Sequence, residues 1–275
     1  MPIDLEALAP GLCRREDGIW FSGRQTSVSY PPHGNAGWRE IEDRSFWFRH
    51  RNRCIVSLVR RFRPDGTFLD IGGGNGYVAK GLAEAGISCA LLEPGFDGAL
   101  AARARGIDPV ICARLEDIDP GSPGIAAAGM FDVLEHIEDQ TGALKKVNEL
   151  LMPGGRLFLT VPAYQALYAT DDATAGHFRR YTRSGLIRVL AAAGFRVEFA
   201  SYIFALLPLP VLLFRTVPSR LGLRIGILPE HIAAEHAPKG LPGRLMDRLL
   251  DVEYRRINAG RTVPFGSSCL CCAVK

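Results

Sequence analysis

Two groups of residues in this 275-residue chain have the types and spacing of a binding or catalytic site. The first is the glycine run Asp70-Ile71-Gly72-Gly73-Gly74-Asn75-Gly76, with Glu93-Pro94 beginning 17 residues beyond it. Glycines directly after a strand let the backbone turn tightly and approach a ligand closely. The helix that follows presents free N–H groups and the positive end of its dipole. Alone, the run is ambiguous. Gly74-x-Gly76-x-x-Ala79 also reads as a dinucleotide fingerprint, and a plain strand-to-helix turn uses glycine too. Two acids separate the readings. Asp70, at the carboxyl end of a strand, can face an ammonium group and would repel a pyrophosphate. Glu93, at the end of the next strand, can accept both hydroxyls of a ribose. A nucleoside carrying an amino acid, S-adenosylmethionine, satisfies both acids better than NAD does, which disfavours a nicotinamide oxidoreductase.

The second group is Asp132-x-x-Glu135-His136, joined 41 residues later by His177. Two carboxylates and two imidazoles on one rim match a mixed O/N ligand set for Mg2+, Mn2+ or Zn2+. The same residues admit two other roles. His136 or His177, with Asp132 beside them, can act as a metal-free acid or base, since imidazole titrates near neutrality. Alternatively, Glu135 and His136 form a hydrogen-bonded pair at a helix start, and His177 anchors its loop to Asp132 or Glu135. Arg179, Arg180 and Arg183 follow His177, either as a clamp for a carboxylate or phosphate on the acceptor or as salt bridges at a helix start.

The elements that must position these residues are legible from periodicity. Ile55, Leu58, Val59 and Phe62 place a helix over 41–62, with Arg49, Arg51, Arg53, Arg60 and Arg61 on the opposite face, which is either solvated or, with Phe46-Trp47-Phe48 beside it, covers the ligand crevice or touches a membrane surface. Strands follow at 67–71, 88–92, 109–112, 125–130, 156–161, 195–202 and 267–274, with helices between most of them. Pro153-Gly154-Gly155 closes the helix before the fifth strand. Such alternation predicts an α/β fold: a doubly wound, mainly parallel sheet with helices on both faces. Residues 1–40 hold two short strands at most and read as an N-terminal cover. About 60 residues separate the sixth and seventh strands, too many for a hairpin. The division expected is therefore 1–40, a sheet domain over 41–203 and 267–275, and a helical lobe over 204–266.

The chain resembles the class I S-adenosylmethionine-dependent methyltransferases. The resemblance rests on residues 68–76, Leu92-Glu93-Pro94, residues 131–137 and residues 151–162, in that family's order and spacing. It implies a seven-stranded Rossmann-like sheet whose last strand is antiparallel between the fifth and sixth. It also implies that Asp70 to Gly76 hold the methionine part, Glu93 the ribose, and Leu115 and Glu116 the adenine. Ubiquinone-biosynthesis O-methyltransferases and small-RNA 2′-O-methyltransferases show a similar E-x-x-E-H with a later His and use a metal; here Asp132 stands for the first Glu. The function expected is methylation, of a hydroxyl first, on a small, glycan or lipid-like acceptor. An N-methyltransferase and a non-catalytic cofactor-binding or scaffold protein are the alternatives.

Composition sets the remaining bounds. An apolar share of 47% is ordinary for a globular chain and excludes disorder over most of it. A net charge of +4 is too small to argue for nucleic acid, and no nucleic-acid partner is expected. Seven cysteines, three of them (Cys269, Cys271 and Cys272) in a run that reads as a buried strand, are expected to be reduced core thiols of a cytoplasmic protein. Mean hydropathy is +0.07, and residues 199–214 are nearly free of charge. That run is shorter than a span of about 20 residues and holds Pro208 and Pro210, so it reads as a strand end plus a short buried or interfacial helix, with peripheral membrane contact through it. Residues 241–258 read as an amphipathic helix with Leu245, Met246, Leu249, Leu250 and Tyr254 on one stripe.

Overall fold

Short apolar runs build a single sheet from β1 (Cys13–Arg14), β2 (Trp20–Phe21), β3 (Phe68–Ile71), β4 (Cys89–Leu92), β5 (Val110–Cys112), β6 (Ile125–Phe131), β7 (Leu151–Pro162), β8 (Arg196–Ile203) and β9 (Ser268–Val274). The computed structural model describes Leu5 and residues 11–22, 41–119, 124–222 and 240–275. Most of the expected N-terminal cover and residues 223–239 of the expected lobe lie outside the described residues. The strand order is β1-β2-β5-β4-β3-β6-β7-β9-β8. Strands β5, β4, β3, β6 and β7 are parallel, as crossover helices between successive strands require. The antiparallel β9 lies between β7 and β8. Every residue of β9 is buried, which suits a strand covered on both faces and paired on both edges.

The sheet departs from expectation in two places. It has nine strands rather than seven, because the β1–β2 hairpin adds β2 parallel to β5. Each of those strands has two residues, too few to show a period. The fifth strand starts at Leu151, so Pro153-Gly154-Gly155 lies inside it instead of closing the helix. Between the pairs Ile125–Leu151 and Ala127–Arg156 the register jumps, and Gly154, at φ +79°, takes up the extra residues.

The helices are α1 (Phe46–Arg61), α2 (Tyr77–Glu84), α3 (Phe96–Ala104), α4 (Gln140–Leu150), α5 (Thr170–Thr174), α6 (Arg183–Ala192), α7 (Pro208–Val211), α8 (Val217–Arg220) and α9 (Gly240–Asn258). A π-helical turn over Leu212–Thr216 joins α7 to α8. Side chains alternate across the sheet into two cores. Leu69, Met130 and Leu159 belong to one; Phe68, Leu91 and Phe158 belong to the other. Six of the seven cysteines are buried, and all seven are free thiols.

Helix α1 starts where Ser45 accepts the N–H groups of Trp47 and Phe48, an N-cap of the usual kind. It carries α9 on its outer side. Arg49 and Arg53 pair with Asp247 and Asp251 of α9 at 3.7 and 2.8 Å. Beneath them the buried Glu253 of α9 meets His50 Nε2 at 2.7 Å. Glu253 also accepts the N–H groups of Phe204 and Ala205 at 2.6 and 2.7 Å. Phe204, at φ +60°, stacks on Trp47 with ring centroids 5.5 Å apart. One carboxylate therefore fixes the exit of β8 against both helices. Glu253→Ala leaves two backbone donors without acceptors and is expected to destabilise the fold by about 2–5 kcal/mol in urea unfolding. A loss below about 1 kcal/mol would show that those donors find other partners.

Candidate functional site

The carboxyl ends of β3, β4, β6 and β7 open into one cleft of about 1700 Å³. This is where an open parallel sheet leaves backbone groups and loop ends free for a ligand. The glycine run forms its floor. Gly72 N–H donates to Leu92 O at 2.7 Å and Gly76 N–H to Gly73 O at 2.9 Å. Gly76, at φ +75°, opens α2 from behind the cleft lining. A Cβ on Gly73 would fall 2.6 Å from Leu91 Cδ1 and 2.9 Å from Asp70 Oδ2, so only glycine leaves the carboxylate its space.

Asp70 is buried, and its Oδ2 accepts no hydrogen bond from any described residue. Burial pushes its carboxyl up to about 7, against the pull of Arg51. Glu93 is buried as well. Its two oxygens accept the N–H groups of Gly74 (2.9 Å) and Gly95 (2.7 Å), and burial outweighs those bonds to raise it to about 7. Gly72, Gly73, Gly74, Asn75, Pro94, Leu115 and Glu116 share the cleft wall with these acids. Asn75 turns its Nδ2 to Glu42 at 3.2 Å, and Glu42 pairs closely with Arg105. The residue set fits a ligand with an ammonium group and a ribose: a buried carboxylate oxygen lacks a donor, and a second acid stands on the neighbouring strand.

The second group sits on the same rim and is not one four-residue cluster. Asp132, at φ +57°, places Oδ2 2.6 Å from Arg51 Nε, a contact of opposite charges rather than a directed hydrogen bond, because that oxygen lies outside the N–H direction. Glu135, His136 and His177 do converge, each offering one ligand atom, all within 4.8 Å of one another. Glu135 is fully buried, and its carboxylate oxygens accept nothing from another described residue. Burial and then the Asp132 charge hold it well above the usual carboxylate range. Burial and then His177 push His136 down to about 4, so its ring is neutral at physiological pH. The two imidazoles meet edge to face at 4.6 Å.

His177 is anchored neither to Asp132 nor to Glu135. Its Nδ1 lies 2.8 Å from Oδ1 of the buried Asp172. Asp172 also accepts two bonds from Arg180, at 2.8 and 2.9 Å. Burial raises the Asp172 carboxyl, but bonds from His177 and Arg180 outweigh this and leave it below its ordinary value. Arg179 donates to the carbonyls of Ile137 and Glu138. Arg179 and Arg180 are thus committed within the protein, while Arg183 lies over the Tyr202 ring at 5.9 Å.

Sequence reasoning missed two residues. Arg51, expected on a face either solvated or covering the crevice and given no role of its own, is buried, lines the cleft with Phe46 and Trp47 and donates to Phe131 O at 2.8 Å. The signal was its position, four and seven residues before Ile55 and Leu58, which puts it on the apolar stripe. Asp172 had a weaker signal, an acid three residues after Ala169 at the start of a short helix, where it caps the Ala169 N–H at 2.9 Å.

The far wall of the cleft is apolar, with Leu207, Pro210, Phe214 and Met246. It belongs to the expected lobe. Its α7–α8 run docks on the segment before His177 through Thr216 to Leu167 O and Arg220 to Ala166 O. Among the described residues no helix is long and apolar enough to cross a membrane.

A family model described as a methyltransferase domain matches residues 43–199, more than half of the chain. A probable S-adenosylmethionine-dependent methyltransferase of Mycolicibacterium smegmatis is 24% identical over 163 residues, 58% of this chain and 62% of that one. A ubiquinone biosynthesis O-methyltransferase of Pseudomonas paraeruginosa is 27% identical over 100 residues, 34% of this chain and 43% of that one. The chain thus spans less than two thirds of these curated relatives. Phosphoethanolamine N-methyltransferase 2 of Haemonchus contortus, solved with S-adenosyl-L-methionine, shares the fold with a TM-score of 0.54 at 14% identity, over 92% of this chain and 60% of that one. The glycine floor, the paired acids at the ends of β3 and β4 and the match over residues 43–199 agree, and the chain belongs to the class I S-adenosylmethionine-dependent methyltransferase family.

Proposed function

We propose that the protein methylates a hydroxyl on an acceptor with an apolar portion, a small, glycan or lipid-like molecule, using S-adenosylmethionine. When bound, that cofactor supplies a methyl group activated by its sulfonium. Asp70 would hold the ammonium end against the glycine floor. Glu93 would take the ribose hydroxyls by releasing its bonds to Gly74 and Gly95, and Leu115 and Glu116 would border the base. The single observation that carries the hydroxyl reading is the Asp172–His177 pair. A hydroxyl must lose its proton to attack. His177, with Nδ1 directed to a carboxylate held ionised, presents Nε2 as the accepting atom. Neutral His136 at its edge adds no second positive charge. Two of the similar proteins are named for different reacting atoms, an O-methyltransferase of ubiquinone biosynthesis and a phosphoethanolamine N-methyltransferase, so likeness alone does not choose between them. The apolar wall supports an acceptor that is hydrophobic at the end away from the reacting group.

A second reading has its own observation. The oxygens of buried Glu135, which accept from no other described residue, lie beside His136 and His177 and fit a divalent cation, with Asp172 behind His177 as the kind of outer carboxylate that orients a metal-bound imidazole. Asp132, paired to Arg51, is the least available of the four expected ligands. A cation there would lower the pKa of a bound hydroxyl. Elemental analysis of the purified protein, followed by calorimetric titration with Mn2+, tests it. One site, lost in Glu135→Gln, is the supporting result; a heat indistinguishable from dilution rejects the metal.

Cofactor binding carries a proton signature. Asp70 and Glu93 have raised carboxyls near 7 in the free protein, so both hold protons at about pH 6 and neither does at about pH 9. A ligand ammonium favours the ionised form. Binding of S-adenosylhomocysteine, followed by calorimetry in buffers of different ionisation heat, is expected to release protons near pH 6 and progressively fewer as the pH rises through 7, with the release near pH 6 reduced in Asp70→Asn. Proton uptake near pH 6 would contradict the assignment.

For the acceptor, the purified protein is incubated with methyl-labelled S-adenosylmethionine and fractionated lipids and metabolites. Label is expected on oxygen in one fraction, at a rate that His177→Ala lowers about 100- to 10,000-fold while S-adenosylhomocysteine still binds. Label on nitrogen, or an unchanged rate in the variant, overturns the hydroxyl reading; cofactor binding without transfer to any fraction supports the scaffold alternative.

A further inference from the structure

Helix α9 has two apolar faces where one would serve the fold. Met246, Leu250 and Ile257 turn inward and pack with the core that holds α1. Leu241, Leu245, Leu249 and Val252 are 80, 59, 41 and 64% exposed. Their spacing of four, four and three residues places them on one outward stripe, in a helix of 19 residues and about 28 Å. The sequence pattern had grouped Leu245 and Leu249 with Met246 and Leu250; the packing separates them. An exposed stripe of that length is uncommon on a monomeric protein and marks an interaction surface.

The charges of α9 are sorted in the same way. Asp247 and Asp251 turn to α1 and pair with Arg49 and Arg53. Arg244, Arg248 and Arg255 are exposed, border the stripe by their helical angle, and have no ion-pair partner among the described residues. The outward half of the helix therefore offers leucine, valine and cations. Nearby, the α7–α8 run exposes Leu209, Leu213 and Phe214. Phe214 and Met246 both line the cleft, so its apolar mouth opens between these two exposed helices.

We propose that this protein docks on an anionic bilayer through α9, with Leu241, Leu245, Leu249 and Val252 in the headgroup boundary and Arg244, Arg248 and Arg255 on lipid phosphates, bringing the apolar mouth of the cleft against the membrane. An interfacial helix has this composition, a hydrophobic stripe with arginines beside it. Charge complementarity selects the occupant. A symmetric pairing with a second copy would set each arginine rim against its own image, whereas anionic headgroups neutralise it. The inference concerns where the protein sits, and it stands whichever acceptor or reacting atom the site uses.

The test is co-sedimentation of the full chain with vesicles of phosphatidylcholine alone and of phosphatidylcholine with phosphatidylglycerol. Binding to the anionic vesicles, weakened by salt, is expected. Each arginine of Arg244, Arg248 and Arg255 exchanged for Gln is expected to lower partitioning about fivefold. The double variant Leu245→Glu with Leu249→Glu is expected to stay in the supernatant. Unchanged S-adenosylhomocysteine binding and unfolding midpoint show that these surface variants remain folded and that the cleft is intact. Equal binding to both vesicle types, no binding to either, or a dimer in sedimentation velocity that the leucine variant dissociates would each overturn the proposal.

Discussion

The guanidinium of Arg51 is the interaction on which the site depends. It is buried at the carboxyl ends of β6 and β7, where Phe131 O and Thr160 Oγ1 accept from it, and it faces Asp132 at 2.6 Å. Asp70, Glu42 and Glu135 feel the same charge. A parallel sheet that brings several acids to one buried rim needs a cation there, because isolated carboxylates lose far more solvation than they regain. One cation does not suffice for all of them. Asp70 and Glu93 still sit near 7, and Glu135 is held well above the usual carboxylate range. The cleft is thus short of positive charge by design of its backbone, and a cationic ligand completes it.

Arg51 also locks α1 to the sheet, and α1 in turn locates the outer layer. The face of α1 next to Arg51 carries His50, whose contact with Glu253 fixes α9 and the exit of β8. Arg49 and Arg53 hold the acids of α9. A disturbance at this helix therefore reaches the cleft floor and the apolar wall together. This coupling places the glycine floor and the apolar wall of one cleft under the control of a single helix, which itself lines the cleft with Phe46, Trp47 and Arg51.

What the sequence made legible follows from local physics. Strand-helix alternation and the Asp70–Gly76 run are written in contiguous residues, so the parallel sheet and the floor of the cleft were readable, whereas the antiparallel last strand came only from the family resemblance. The convergence of Glu135, His136 and His177 was readable in part, because both segments follow strands that end on one rim. Asp132 was not, since its partner Arg51 lies 81 residues earlier on a helix whose basic residues look alike in sequence. The pairing of His177 with Asp172 depends on a five-residue turn that brings an acid back onto its own loop. The two faces of α9 were illegible for another reason: periodicity places apolar residues on angles, and only packing tells which angle is covered.

These features bear on why the rim keeps both an acid-backed imidazole and an unpartnered carboxyl. His177 is already satisfied at Nδ1, and His136 is neutral, so neither imidazole needs Glu135 as a counter-ion. A buried carboxyl that accepts from no other described residue is expensive to maintain, and fold stability gives no reason for it, because an apolar side chain of similar size would fill the space at less cost. Two occupants resolve the expense. A protonated Glu135 donates a hydrogen bond to an acceptor oxygen, or an ionised Glu135 binds a cation together with the two imidazoles. Both make the group useful only when the cleft is filled. On either account, Glu135→Leu, which removes both the donor and the ligand oxygens, should cost ligand affinity more than folding stability, which is the pattern of a binding group rather than of a core residue.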